Sequence, residues 1–246
     1  MDFKVSIVLA TRDRAVWLSK CIESLKVQKH VLETLVIDDT GKEAIGCEQV
    51  RQKGVALTND AATHVYFTDD DAVVDVDCLK ILCDPQIWQK GKVGAVGGSA
   101  VRMNSPLFHT KSYHYLTDPM TIDHNGVFRD LSGYYTKNPK WYPADHLIGC
   151  NMLVLKSAFN EVGGMSPEFD SGTIRGETDL CLKLREKGYL LYFNGVARVF
   201  HYKQNWQTTE THKRSDKFFR EKWKSKQFLG HIRPKLIQEV IIVGKR

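Results

Sequence analysis

The stretch Thr68-Asp69-Asp70-Asp71-Ala72 sets three carboxylates side by side, directly after the apolar run His64-Val65-Tyr66-Phe67. β-branched and aromatic residues favour a strand, so the carboxylates belong at its carboxyl end, where open α/β sheets hold their ligands. Adjacent carboxylates repel one another, and a divalent cation relieves that repulsion. In an extended segment Asp69 and Asp71 point to one side and Asp70 to the other. Hard oxygen ligands select Mg2+ or Mn2+ over zinc, and a cation held by few protein groups completes its shell with substrate phosphates. The expected substrate is a diphosphate.

These residues need a scaffold, and the flanking pattern supplies one. Val5-Ser6-Ile7-Val8-Leu9-Ala10 is a near-continuous β run, followed by Trp17, Leu18, Cys21, Ile22 and Leu25 at helical spacing. A second strand, Thr34-Leu35-Val36-Ile37, ends on Asp38-Asp39. A helix over 47–52, a short strand at Val55-Ala56-Leu57, a helix near Ala61 and the strand before Asp69 complete the first half. The alternation predicts one Rossmann-like, mostly parallel sheet flanked by helices. Gly41 and the glycines of Gly94-Ala95-Val96-Gly97-Gly98 mark turns or close backbone approaches, but their spacing is not the dinucleotide fingerprint.

The chain has 246 residues, 42% of them apolar, enough for one large domain with a sizeable core. No basic and apolar leader opens it, and no apolar run reaches the roughly 20 residues that span a bilayer, so a cytoplasmic protein is expected. The six cysteines show neither zinc spacing nor a dense secreted pattern, and read as reduced thiols. The net charge of +6 is concentrated late in the chain, between Lys203 and Lys235.

Four segments of the first half, VSIVLATRDR from Val5, Val36-Ile37-Asp38-Asp39, GCEQVRQKG from Gly46 and FTDDDA from Phe67, resemble the donor-binding part of an inverting, family-two glycosyltransferase with the A-type fold. The second half is similar to the same family in Gly149-Cys150-Asn151-Met152, Val162-Gly163-Gly164-Met165, RGETDLCLKLREKGY from Arg175, and Val199-Phe200-His201-Tyr202. The resemblance covers roughly residues 3–202. It implies a catalytic domain over 1–205, with a nucleotide-sugar half at 1–98 and an acceptor-binding and catalytic half at 99–205, then a basic tail at 206–246.

The resemblance also implies roles. Asp39, or its neighbour Asp38, contacts the nucleobase or ribose, and Arg12 packs beside the base. Arg51 faces the nucleotide with forked donors suited to phosphate or the sugar ring, its alternative being a surface salt bridge. Asp69 holds ribose and sugar hydroxyls, while Asp71 and His201 hold the cation. Lys203, with Tyr202 as a second candidate, stabilises the departing diphosphate. The nucleotide-binding set is then Ala10, Thr11, Arg12, Asp38, Asp39, Arg51, Asp69, Asp70 and Lys203, within a motif of the Asp-x-Asp type.

Transfer with inversion requires a base at the acceptor hydroxyl. Glu177 and Asp179 open the helical run of Leu180, Leu182 and Leu184, where exposed amides favour carboxylates. The family carries a glutamate-aspartate pair here, its aspartate the base; matching the shared TDLCL stretch puts Glu177 in that place and Gly176 in place of the glutamate. Glu177 is the expected base, with Asp179 as its rival. On the acceptor side, residues 99–146 are rich in aromatics and histidines that can stack on sugar rings, Trp141 among them. Asp145 resembles a position near the donor sugar or acceptor, and Asn151 is expected in the same cleft.

The donor expected is a nucleoside-diphosphate sugar, UDP-sugar ahead of GDP- or dTDP-sugar, and the acceptor sugar-containing or lipid-linked. Two other readings stand beside this one. A nucleotidyltransferase of related fold carries a glycine-rich phosphate loop where this chain has Ala10-Thr11-Arg12-Asp13-Arg14, and a non-enzymatic binding protein leaves Asp69, Asp71, Glu177 and His201 without a common task. From His212 to Gly230 basic residues alternate with Phe218, Phe219, Trp223 and Phe228, giving a helix that docks on the domain or, peripherally, on an anionic membrane. Nucleic-acid binding does not fit the acidic cleft.

Overall fold

The structure is a computed structural model describing residues 1–41, 45–103, 114–115, 120–122, 128–130, 141–169, 175–202 and 210–223, with the backbone alone at 102–103, 114–115, 120–122, 128–130 and 211. The first half contains β1 (Val5–Thr11), α1 (Ala15–Lys26), β2 (Val31–Asp38), α2 (Cys47–Ala56), β3 (His64–Asp69), β4 (Ala72–Val74), α3 (Cys78–Leu82), α4 (Pro85–Trp88) and β5 (Val93–Met103). Then follow β6 (His114–Tyr115), β7 (Met120–Ile122), β8 (Phe128–Asp130), β9 (Trp141–Pro143), β10 (Met152–Leu155), α5 (Lys156–Glu161), α6 (Gly176–Glu186), β11 (Leu190–Tyr202) and α7 (Glu210–Trp223).

The main sheet is ordered β2-β1-β3-β10-β5-β11-β4, with β6 beside β5 and β9 beside β11. Strands β2, β1, β3, β5 and β11 point the same way, as the alternating pattern predicts. Strand β10 is antiparallel between β3 and β5, and β4 is antiparallel to β11, so the sheet is mixed. A short apolar run such as Met152-Leu153-Val154-Leu155 carries no signal of its direction, which its neighbours decide.

Central strands are buried on both faces, hence their unbroken apolar sequences. Ile7, Leu9 and Tyr66 pack with Cys21 and Leu25 of α1 and Leu79 and Leu82 of α3. Val8, Val65 and Phe67 point the other way, into a core with Val55 of α2, Phe159 of α5 and Leu180 and Leu184 of α6. The period-2 alternation of each strand thus feeds two cores.

Two local expectations are corrected. Val55-Ala56-Leu57 is not a strand: Val55 and Ala56 end α2 and Leu57 caps it, because a short apolar run reads alike in either element. Ala61 lies in a turn, where its amide donates to Asn59 Oδ1 at 2.9 Å. The close approach expected at Gly98 is present: a Cβ there would lie 1.8 Å from the Ala197 carbonyl oxygen. All six cysteines are free thiols.

The basic, aromatic helix α7 docks on the domain. Phe219 is buried with Phe169 and Leu182, and Phe218 and Trp223 pack against them. Residues 224–246, with the rest of the tail, lie outside the described residues. Among the described residues no helix is long and apolar enough to cross a membrane.

Candidate active site

Parallel pairing brings the ends of β1 and β3 level, Ala10 opposite Asp69, so the loop Thr11–Arg14 lies beside the turn Asp70-Asp71. From the other side, β11 sets His201 opposite Ala72 of β4. The three aspartates thus sit where three strands meet, at the carboxyl ends of β1, β3 and β11.

Asp69 and Asp71 converge on one imidazole: His201 Nε2 lies 3.2 Å from Asp69 Oδ2 and 3.2 Å from Asp71 Oδ1. Asp70 turns to β1, accepting from Thr11 Oγ1 at 2.9 Å and the Arg12 amide at 3.4 Å. Asp69 and Asp71 thus share the His201 imidazole, while Asp70 and Asp71 share Arg14. The repulsion is relieved first by the protein itself. Arg14 Nη1 lies 3.0 Å from Asp70 and 2.8 Å from Asp71, and Arg51 Nη2 2.7 Å from Asp69 Oδ1. Burial pulls the His201 pKa down, but the two carboxylates outweigh it and raise it to about 9. Burial likewise opposes ionisation of Asp69, yet His201 and Arg51 hold it at about 2.

Arg51 is not the surface salt bridge considered as its alternative. It is 4% exposed, donates also to the Gly149 carbonyl at 3.1 Å, and leaves no room for a side chain at 149, where a Cβ would lie 2.6 Å from Nη1. Its visible task is to hold Asp69. At the end of β2, Asp39 accepts from the amides of Ile45 at 2.7 Å and Gly46 at 2.9 Å, and from Arg12 Nη2. Burial opposes its charge, but these donors keep its pKa below the usual carboxylate value. Asp38 instead binds its own loop through the Thr40 amide at 2.9 Å.

At the start of α6 the two candidate bases part company. Asp179 has no exposed surface, and both its oxygens are occupied: Oδ1 by Trp223 Nε1 at 2.9 Å and Lys222 Nζ at 2.7 Å, Oδ2 by Ser166 Oγ at 2.5 Å. It fastens α7 to α6 and pairs with Lys222 and Lys183. Glu177 is half-buried, and its charge acts on Arg51 and on the buried Glu48 of α2.

Among the solved structures whose fold this chain resembles are two glycosyltransferases. One is GalNAc-T7 with UDP, GalNAc and Mn2+, with a TM-score of 0.72 at 15% identity, covering 92% of this chain and 49% of that one. The other is the catalytic domain of Drosophila beta1,4galactosyltransferase 7 in complex with xylobiose, at 0.54 and 11% identity over 85% of this chain and 77% of that one. The chain has the A-type glycosyltransferase fold. It spans about half the length of the GalNAc-T7 chain, 49%. No protein-family model matches the sequence, and no curated protein does.

In this A-type fold the residues present fit a divalent cation. Asp71 Oδ1 is a buried carboxylate oxygen that faces His201 Nε2 at 3.2 Å and has no other donor among the described residues, and the Asp69 side chain keeps 31% of its surface. Asp69, Cys150 and His201 bring one ligand atom each within 4.8 Å. Cys150 was not singled out as a ligand from the sequence. Burial and the neighbouring Asp69 push its thiol pKa well up, so it is a neutral, soft group; the hard donors are the carboxylates of Asp69 and Asp71, beside the borderline imidazole of His201.

The acceptor-side expectations fare differently. Asn151 is corrected: it is fully buried, accepting from Tyr66 Oη at 2.9 Å and donating to the carbonyls of Ser99 at 3.1 Å and Ala197 at 2.9 Å. It clamps β10 to β5 and β11 at the bulge between Asn194 and Arg198 and has no capacity left for a sugar. Trp141 pairs with Asn194 rather than with the His201 end of β11, and its indole donates to Asp84 at 3.3 Å. Asp145 is 9% exposed and lies 3.5 Å from Arg185. Lys203 lies outside the described residues, as do most of the aromatics between 104 and 140. Tyr202 stacks on Trp17, ring centroids 3.9 Å apart, beside the site. Arg14 and Glu48 were not assigned roles from the sequence. Arg14 lies in the TRDR segment after β1, far along the chain from the carboxylates it binds, and Glu48 carries no local signal.

Proposed function

We propose that this chain is a metal-dependent, inverting glycosyltransferase of family two, moving a sugar from a nucleoside diphosphate, UDP ahead of GDP or dTDP, to a hydroxyl of a sugar-containing or lipid-linked acceptor. The observation that carries this reading is the convergence of Asp69, Asp71 and His201 at the strand ends, with the half-buried Glu177 acting on the Arg51 that holds Asp69. The likeness to a protein solved with UDP and Mn2+ supports it.

Asp71 and His201, with Asp69 beside them, are the groups that would hold Mn2+ or Mg2+, whose positive charge would offset that of a departing diphosphate. Asp39, fixed by two amides and by Arg12, presents an ionised edge to the nucleobase or ribose. Arg14 neutralises the face of Asp70 and Asp71 turned to β1, so the trio stays compact. Glu177 takes the proton from the acceptor hydroxyl, a role from which Asp179 is removed by its full burial and its four partners. Residues 1–98 then serve the donor and 99–205 the acceptor, although the border falls inside β5 and both parts share one sheet.

The test is transfer from a panel of nucleotide sugars to simple glycosides with Mn2+ or Mg2+, and NMR of the product's anomeric centre. Inverted product, lost on chelation and restored by the cation, is the expected result. Retained configuration removes the inverting assignment; absence of transfer from every donor removes the enzyme reading.

A further inference from the structure

Arg175, the residue from which α6 starts, has φ 88° and ψ −6°, a left-handed conformation. A side chain makes that conformation costly, and residues other than glycine keep it where their surroundings hold them. Glycine follows at 176, so the permissive residue does not stand at the strained position. A restraint on Arg175 comes from α7. Arg175 Nε donates to Asp216 Oδ1 at 2.9 Å, and Nη2 lies 2.9 Å from the same oxygen. Arg220 Nε, one turn along α7, donates to Asp216 Oδ2 at 2.6 Å. The Arg175 and Asp216 side chains are 22% and 26% exposed, so solvent screens this pair less than an open surface pair.

The face of α7 that carries Asp216 is its docking face. Ser215, Phe219, Lys222 and Trp223 recur there at helical spacing; Phe219 packs on Phe169 and Leu182, and Lys222 and Trp223 bind Asp179. Helix α2 closes in on the start of α6 as well, since a Cβ at Gly176 would lie 2.3 Å from Glu48 Cγ. The first turn of α6 is thus held by α7 at Arg175 and at Asp179, whose amide donates to the Arg175 carbonyl at 2.8 Å. Glu177 lies between these two residues.

Helix α7 begins at Glu210, beyond the segments that resemble the family. We propose that Asp216 is a positioning residue: through Arg175 it holds the left-handed start of α6, and with it Glu177. This rests on the assignment of Glu177 as the base of a glycosyltransferase. Asp216 acts through the backbone of Arg175 and not on the substrate. Without its carboxylate Arg175 relaxes from the left-handed region, the turn from Arg175 to Asp179 opens, and the base spends less time in the geometry that transfer requires.

The variants are Asp216→Ala, Arg175→Gly and the two combined, each made in the full chain and checked for folding by circular dichroism. Glycine adopts a φ of 88° without steric cost, so Arg175→Gly removes the contact and the need for it together. Hydrogen–deuterium exchange reads the Asp179 amide in substrate-free protein. Turnover is measured with the donor found active in the panel. In Asp216→Ala the Asp179 amide is expected to exchange about 10-fold faster or more, and kcat to fall by about the same factor with KM for donor little moved. The combined variant should recover at least part of both. Should Asp216→Ala fail to fold, the same comparison is made on Asp216→Asn, which keeps an acceptor oxygen for Arg175. Unchanged exchange and kcat in the folded variant overturn the proposal. So does a loss that Arg175→Gly does not relieve, because a contact that merely docks α7 is indifferent to the backbone at 175. Exchange that changes as expected in a protein that transfers no sugar overturns the glycosyltransferase reading, and with it the positioning of a base, while the hold on α6 stands observed.

Discussion

Arg51 Nη2 lies 2.7 Å from Asp69 Oδ1, and the same guanidinium, almost without exposed surface, also holds the Gly149 carbonyl. One side chain of α2 thereby ties the end of β3 to the loop before β10. Removing one partner of a buried pair strands the other, so Arg51→Ala is expected to cost about 3 kcal/mol of stability. Urea denaturation measures it. Arg51→Lys, which has the charge but not the fork, should recover only part, and a loss below 1 kcal/mol in Arg51→Ala contradicts the structural role.

Asp71→Ala and His201→Ala are expected to weaken Mn2+ binding about 10-fold or more each, read by calorimetry on the protein with and without UDP. Asp70→Ala, whose carboxylate turns to Thr11 and Arg14, should weaken it less. Equal effects of all three would place the cation elsewhere.

Glu177→Gln keeps the shape of the side chain and removes proton acceptance. Turnover should fall roughly 100-fold or more, with calorimetric donor affinity little changed. Asp179→Asn should act chiefly on stability, because it disrupts the contacts to Lys222, Lys183 and Ser166. Near-normal turnover in Glu177→Gln beside a folded, inactive Asp179→Asn would transfer the role to Asp179.

Asn151→Ala leaves the Tyr66 hydroxyl and the carbonyls of Ser99 and Ala197 without their partner in the core. A loss of about 3 kcal/mol is expected from thermal or urea unfolding. A stable variant with lowered acceptor affinity would restore Asn151 to the cleft.

Stability should also depend on pH through Glu48. Its carboxyl is raised from 4.5 to about 8 on folding, by burial and by Glu177. Between those values the folded state binds a proton that the unfolded state has released, so stability falls as pH rises through the window. The slope from this one group is at most about 1.4 kcal/mol per pH unit. Glu48→Gln should flatten the curve between pH 5 and 8; an unaltered curve would mean that Glu48 is ionised in the fold.

The sequence by itself determined the strands that end at the site and the order of its carboxylates. Val5–Ala10, Thr34–Ile37 and His64–Phe67 are doubly buried or edge strands with clear periodicity, and carboxylates at their ends follow from local chain order. Glu177 at the start of a helix was legible for the same reason. Pairings across distant segments were not. That Arg51 faces Asp69, that Glu48 fills the space over Gly176, and that Asn151 spends its hydrogen bonds inside the sheet depend on how α2, α6 and β10 pack. Nor does any local pattern separate Asp179 from Glu177: both open α6, and it is contacts with Ser166 and with Lys222 and Trp223 of α7 that draw Asp179 into the scaffold. Side-chain type and periodicity are properties of neighbours along the chain, whereas burial, pairing and pKa arise from neighbours in space.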